Sequence, residues 1–178
     1  MRSRLVEKQV IYTGKKCKLE LHRLENEETG RQHTREVVVH PGAVIILAIN
    51  EKQEVLLIRT RRYAVDQVML ELPAGTLEAG EPPMNCAGRE LLEETGYLAG
   101  KLEPLASFYT SPGILSEKMH AFVATRLEKR TQALEEGEEI EVVPTPLEEA
   151  VRLATTGEIV DGKTIATLLM YAGRNGLR

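Results

Sequence analysis

The hydrophobic pattern divides the chain into strands at the start, a mixed middle and helices at the end. Leu5–Tyr12 reads as a strand, and residues 17–24 set Cys17, Leu19 and Leu21 against Lys18, Glu20 and His22, a period of two. Asn26-Glu27-Glu28-Thr29-Gly30 is a hairpin connection, and Arg35–His40 supplies the returning strand. This meander is too small to bury a core of its own, so it must lie on the rest of the chain or on a second copy. After His40-Pro41-Gly42, the run Ala43–Ile49 is continuously apolar, as a strand buried on both faces is. Glu54–Thr60 and Val68–Leu72 follow as strands, then a glycine-bearing loop to Pro83 and a helix over Asn85–Thr95 that Gly96 stops. Further strands are predicted near Leu98–Tyr109 and Lys118–Leu127, and Thr131–Val143 reads as a Glu-rich loop entering a short strand. Thr145-Pro146-Leu147-Glu148 predicts a helix with Thr at the cap and Pro first inside, and a last helix spans Lys163–Ala172 after Asp161. Strands interspersed with a few helices predict an α/β sandwich with a mixed sheet. The expected division is an N-terminal strand meander at 1–40 and a main domain at 41–178.

Length and composition narrow the function classes. The 178 residues suit one domain with a small appendage, and 42% apolar with 28% charged is an ordinary globular balance. The net charge of 23 − 27 = −4 argues against capture of a nucleic-acid backbone. No apolar run approaches the roughly 20 residues of a membrane helix, no signal-peptide core is visible in Met1–Lys16, and Cys17 and Cys86 form no metal or disulfide spacing. A reduced, cytoplasmic setting is expected. Of the 27 acidic residues only Asp66 and Asp161 are Asp, so the chemistry must be sought among the glutamates.

The chemistry concentrates in Gly75–Tyr97. That stretch reads Gly75, five residues, Glu81, seven residues, Arg89-Glu90-Leu91, one residue, Glu93-Glu94, one residue, Gly96-Tyr97. On a helix, Glu90, Glu93 and Glu94 at i, i+3, i+4 converge on one face and repel one another. Arg89 can pair with Glu93, which leaves Glu90 and Glu94 to share hard divalent cations such as Mg²⁺ or Mn²⁺. Glycines at 75 and 80 let the preceding backbone approach a ligand closely.

This 23-residue segment resembles the Nudix hydrolase signature at every fixed position. The resemblance implies the family's α/β/α sandwich and hydrolysis of a nucleoside diphosphate linked to a second group. It implies two or three Mg²⁺ or Mn²⁺ ions held by Glu90, Glu94 and the backbone of Ala74, with Glu81 as a further metal or water contact. It also places Arg89 and Glu93 in the catalytic machinery. Flanking segments resemble the ADP-ribose pyrophosphatases within the family. These are Glu71-Leu72-Pro73-Ala74-Gly75, the arginine-bearing strand Arg59–Tyr63, and Thr110-Ser111-Pro112-Gly113-Ile114-Leu115-Ser116-Glu117, with Gly-Ile where many relatives carry Gly-Gly. They imply substrate contacts by Arg62, Arg59, Glu71, Pro112 and Glu117; a guanidinium fork suits a diphosphate. Tyr63 and Tyr109 are possible base contacts. In the acidic loop Glu135–Glu141 the same likeness makes Glu136 the candidate general base and Glu138 an added metal ligand. In such enzymes the N-terminal sheet exchanges between subunits, so a homodimer is expected. The expected reaction converts ADP-ribose to AMP and ribose 5-phosphate. GDP-mannose or another nucleotide-sugar is the alternative substrate, and an inactive ADP-ribose-binding sensor stands further off because every box carboxylate is present.

Overall fold

Strand β4 (Ala43–Ala48), fully buried, organises the main part of the chain. Its alternate side chains enter two separate cores, as period-two geometry requires. Ile45 and Leu47 pack with Leu57, Leu72, Leu147, Val151 and Leu168, whereas Val44, Ile46 and Ala48 pack with Leu56, Cys86, Ala87, Leu91 and Phe122. The first core is closed by helices α2 (Leu147–Thr156) and α3 (Gly162–Asn175), the second by helix α1 (Pro83–Thr95). This makes an α/β/α arrangement.

The computed structural model describes residues 3–134 and 136–177. Glu135, part of the acidic loop, lies outside the described residues. The chain forms two compact units: residues up to Gly42 together with Tyr109–Lys118, and Ala43–Phe108 together with Met119 onward. The loop containing Pro112 thus groups with the N-terminal strands.

In the first unit, β1 (Ser3–Thr13), β2 (Lys18–Asn26) and β3 (Gln32–Val39) form an antiparallel sheet in the order β1-β2-β3. Asn26 fixes the hairpin by accepting from the Glu28 and Thr29 amides at 3.0 and 2.8 Å. Strand β1 is exposed along its whole length, Leu5, Val6, Val10, Ile11 and Tyr12 included. The 109–118 loop is tied to β3: the Val38 amide donates to Ile114 at 2.8 Å and the Ser116 amide to Val38 at 2.9 Å.

In the second unit, β5 (Glu54–Arg62) pairs antiparallel with β6 (Gln67–Glu71) and β10 (Ile140–Pro146). A four-stranded mixed sheet has the order β7-β4-β9-β8, with β7 (Ala74–Thr76) antiparallel to β4 and β9 (Lys118–Lys129) parallel to it; β8 is Tyr97–Tyr109. Two local expectations change. Residues 74–76, expected in loop, form β7 because β4 presents a free edge there, pairing Ile45 with Ala74 and Val44 with Gly75. Thr145 does not cap α2. Strand pairing with β5 runs on to Pro146 opposite Glu54, so Thr145 is buried in the strand and its hydroxyl donates to the Val143 carbonyl at 3.1 Å; Pro146 is the cap. Helix α3 is capped as its sequence suggests, with the Asp161 carboxylate accepting from the Thr164 amide at 2.9 Å.

Candidate functional site

The acidic face of α1 is governed by Arg89. Its Nε and Nη2 donate to the two oxygens of Glu81, each at 3.0 Å, and its Nη1 donates to Glu90 at 2.7 Å and Glu93 at 2.9 Å. A last Nη2 contact to the Cys86 sulfur, at 3.3 Å, engages the fifth N–H of the guanidinium. One cation thereby organises three carboxylates, more than the single Arg89–Glu93 pair expected from spacing. The hydrogen bonds from Arg89 hold the Glu81 carboxyl down at about 2. Burial pushes the Cys86 thiol up to about 12, so it is an inert packing group.

Among the described residues no cation hydrogen-bonds to Glu94, though the charge of Arg62 acts on it. The residue is 6% exposed, and one carboxylate oxygen accepts from the Ala74 amide at 2.8 Å. Burial pushes its carboxyl up to about 8, and the charges of Glu90 and Glu138 push the same way. Glu90 is raised for the same first reason, desolvation, which outweighs the attraction of Arg89. Glu138 therefore acts electrostatically on both α1 carboxylates, while Glu136 is exposed on the same loop.

Backbone constraints set this geometry. A Cβ at Gly75 would stand 1.8 Å from Glu90 Cδ, so glycine alone lets the carboxylate lie over β7. Gly96 ends α1 in the left-handed region at φ 72°, and its amide donates to Leu92 at 2.8 Å. Beyond it the acidic loop is moored to the helix end. The Gln132 side chain donates to the Glu94 carbonyl at 2.6 Å, and the Ala133 amide to the Glu93 carbonyl at 3.1 Å. These bonds deliver the 136–139 segment to the acidic face.

The arginine strand resolves by alternation. Arg59 and Arg61 point outward and pair with Glu141 and Asp66. Arg62 turns the other way and makes a fork with fully buried Glu71, Nε to Oε1 at 2.8 Å and Nη2 to Oε2 at 2.7 Å. Arg62 is also close enough to Glu94 for each to perturb the other's ionisation. Glu71 receives a second cation, Lys163, from α3. Sequence reading singled out Glu71 and Arg62 but missed Lys163. Nothing local links residues 92 positions apart. Pro112 and Glu117 sit in the first unit, where Glu117 accepts from the Thr110 hydroxyl at 2.7 Å and lies 3.5 Å from His40 Nδ1.

Among the described residues, no three His, Cys, Asp or Glu side chains form a ready metal cage. The donor set nevertheless fits a hard divalent ion. Glu90 and Glu94 are carboxylates raised first by desolvation and further by neighbouring glutamates, the condition a bound cation relieves. Mg²⁺ is commonly held by one or two carboxylates plus substrate phosphates.

A pH dependence follows from Glu94. Its unfolded carboxyl titrates near 4.5 and its folded one near 8, so the folded state favours the proton. That stabilisation is complete below about 4.5 and lost as pH rises through about 8. In chelator, the denaturation midpoint should fall between about pH 5 and pH 8, and Glu94→Gln should flatten the fall. Identical profiles for the two proteins would show that Glu94 does not carry the effect.

The NUDIX domain model matches residues 39–168. The chain is 38% identical over 166 residues to an ADP-ribose pyrophosphatase of Bacillus subtilis (strain 168), covering 92% of this chain and 89% of that one. It is 38% identical to a methanol dehydrogenase activator of Bacillus methanolicus, over 87% of this chain and 84% of that one. It is 37% identical to a GDP-mannose pyrophosphatase of Salmonella paratyphi B (strain ATCC BAA-1250 / SPB7), over 77% and 76%. The fold matches a crystal structure described as an ADP compounds hydrolase with a TM-score of 0.86 at 23% identity, covering 100% of this chain and 98% of that one. With its signature segment folded into a carboxylate-lined helix face and its family match spanning most of the sequence, this chain belongs to the Nudix hydrolases.

Proposed function

We propose that the protein hydrolyses the pyrophosphate bond of ADP-ribose, giving AMP and ribose 5-phosphate, with Mg²⁺ or Mn²⁺ as cofactor and as a homodimer. The observation that carries this reading is the pair of largely buried carboxylates on α1, Glu90 lying against Gly75 and Glu94 held by the Ala74 amide at 2.8 Å. Carboxylates short of positive charge beside a guanidinium fork suit a metal–diphosphate complex. The likeness to an ADP-ribose pyrophosphatase over 92% of the chain supports the choice of substrate.

In this reading Glu90, Glu94, Glu138 and the backbone of Ala74 hold the divalent ions. Bound there, those ions would neutralise the diphosphate and acidify a water. Glu81 supports the site by fixing Arg89, whose hydrogen bonds aim Glu90 and Glu93. Glu136, on the moored acidic loop, takes the proton from the attacking water. That water's oxygen bonds to one phosphorus, and the bridging oxygen leaves with the other phosphate. Arg62 donates to the diphosphate through N–H groups it does not spend on Glu71, two of its five being so spent. Arg59, Pro112 and Glu117 are assigned to substrate binding in the same reading.

The exposed apolar side chains of β1, among them Val10, Ile11 and Tyr12 at 52–63% exposure, support pairing of the N-terminal sheet with a second copy. The second reading, a GDP-mannose or other nucleotide-sugar pyrophosphatase, rests on the 37% identity to a protein of that name.

A substrate panel with Mg²⁺ and Mn²⁺ tests the activity. The panel contains ADP-ribose, GDP-mannose and diadenosine polyphosphates, with phosphate counted after phosphatase coupling. ADP-ribose should be preferred; preference for GDP-mannose selects the second reading. Glu136→Gln should lower kcat about 10²–10⁴-fold with little change in KM. An equal loss from Glu139→Gln with none from Glu136→Gln would move the base. Gly75→Ala should displace the Glu90 carboxylate and cost about a hundredfold in kcat, while the thermal midpoint moves little because the displaced atoms end a flexible side chain. Light scattering should give twice the 19.8 kDa chain mass; a monomeric mass would refute the dimer.

A further inference from the structure

The polar network behind Arg62 is longer than a structural ion pair needs. Glu71 is completely buried at the end of β6 and accepts from two cations, Arg62 on β5 and Lys163 on α3. Lys163 Nζ donates a second bond, at 2.8 Å, to the Asp161 carboxylate. The other Asp161 oxygen accepts from the Thr164 amide at 2.9 Å and from its hydroxyl at 2.6 Å. That hydroxyl in turn accepts from the Leu72 amide at 2.9 Å, next to Glu71. The first turn of α3 is thus bolted to the end of β6 at two neighbouring residues.

Electrostatics gives Lys163 a separate task. Burial works to raise the Glu71 carboxyl, and the hydrogen bonds of Arg62 together with the charge of Lys163 outweigh it, so Glu71 stays anionic. An anion served by Arg62 alone would cancel the guanidinium charge. A second cation on Glu71 Oε2 takes up part of that demand. Arg62 stays fixed along one edge by the fork, while its remaining N–H groups carry positive potential outward. Its side chain is 40% exposed, whereas that of Lys163 is 15% exposed, so the arginine is the more accessible of the two to a ligand.

We propose that Lys163 is a positioning residue for diphosphate binding, which orients and electrostatically frees the Arg62 guanidinium through the buried Glu71 carboxylate. The proposal rests on the reading of Arg62 as a diphosphate contact and adds a residue from a distant helix to that subsite.

Lys163→Met tests it with ADP-ribose turnover and with calorimetric binding of α,β-methylene ADP-ribose, a non-hydrolysable diphosphonate. Loss of positioning should raise KM and weaken analogue binding about tenfold, with kcat changed less than about threefold. Arg62→Gln should weaken binding at least as much, and adding Lys163→Met to Arg62→Gln should cost nothing further, because the lysine acts through the arginine. A lysine that only holds the fold would instead lower the thermal midpoint, leave KM unchanged and add its effect to that of Arg62→Gln; this outcome overturns the proposal. Should Lys163→Met unfold, Lys163→Gln, which keeps a donor to Glu71 without the charge, carries the same comparison, and unfolding of both assigns a purely structural role and overturns it. Wild-type protein that turns over none of the diphosphates overturns the functional reading and this one together. Wild-type turnover with a kinetically silent Lys163→Met overturns this one alone.

Discussion

Crowding negative charge onto little more than one helical turn is the constraint around which this protein is built. On an exposed helix, like charges at i, i+4 cost only a few tenths of a kcal/mol. Glu90 and Glu94 are not exposed, and there desolvation raises each carboxyl, even that of Glu90 beside Arg89. The structure divides the problem. Arg89 spends every N–H on Glu81, Glu90, Glu93 and Cys86, which makes three carboxylates locally tolerable. Glu94 is left with one backbone amide and a deficit of positive charge. In the proposed reading, a divalent cation with its diphosphate would supply what is missing.

The surrounding elements make sense as supports for that face. Even-numbered side chains of β4 pack under α1 through Cys86, Ala87 and Leu91 and leave the glutamates turned away from the core. Gly75 keeps β7 thin enough for Glu90 to lie across it. Gly96 turns the chain at the helix end, and Gln132 and Ala133 return to bond the carbonyls of Glu94 and Glu93. On the opposite layer α3 reaches Glu71 through Lys163 and Leu72 through Thr164. Two helices on opposite faces of the β4 sheet thus each anchor a charged network, α1 the one around Arg89 and α3 the one around Glu71.

The N-terminal unit obeys a different logic. A three-stranded sheet buries little by itself, and β1 leaves apolar side chains in solvent along its length. Among the described residues β1 pairs only with β2 and so is an edge of the sheet, which leaves a free strand edge beside its exposed apolar area. Such a surface is satisfied by shape-matched burial, which a second copy of the same sheet would provide in the proposed homodimer.

Much of this was written in local sequence. The continuous apolar run at 43–49 announced a strand buried on both faces, the spacing of Glu90, Glu93 and Glu94 announced a charged helix face, and Gly96 announced the stop. Each depends on periodicity or on a single backbone torsion, which neighbouring residues alone can set. Tertiary structure decided the rest. It joined Arg62 to the buried Glu71 carboxylate, converted Thr145 from a cap into a strand residue, made β7 from an expected loop, and brought Lys163 to Glu71 across 92 positions. Those outcomes depend on which free strand edge or buried charge another segment encounters when the chain closes on itself, and no rule of local spacing carries that information.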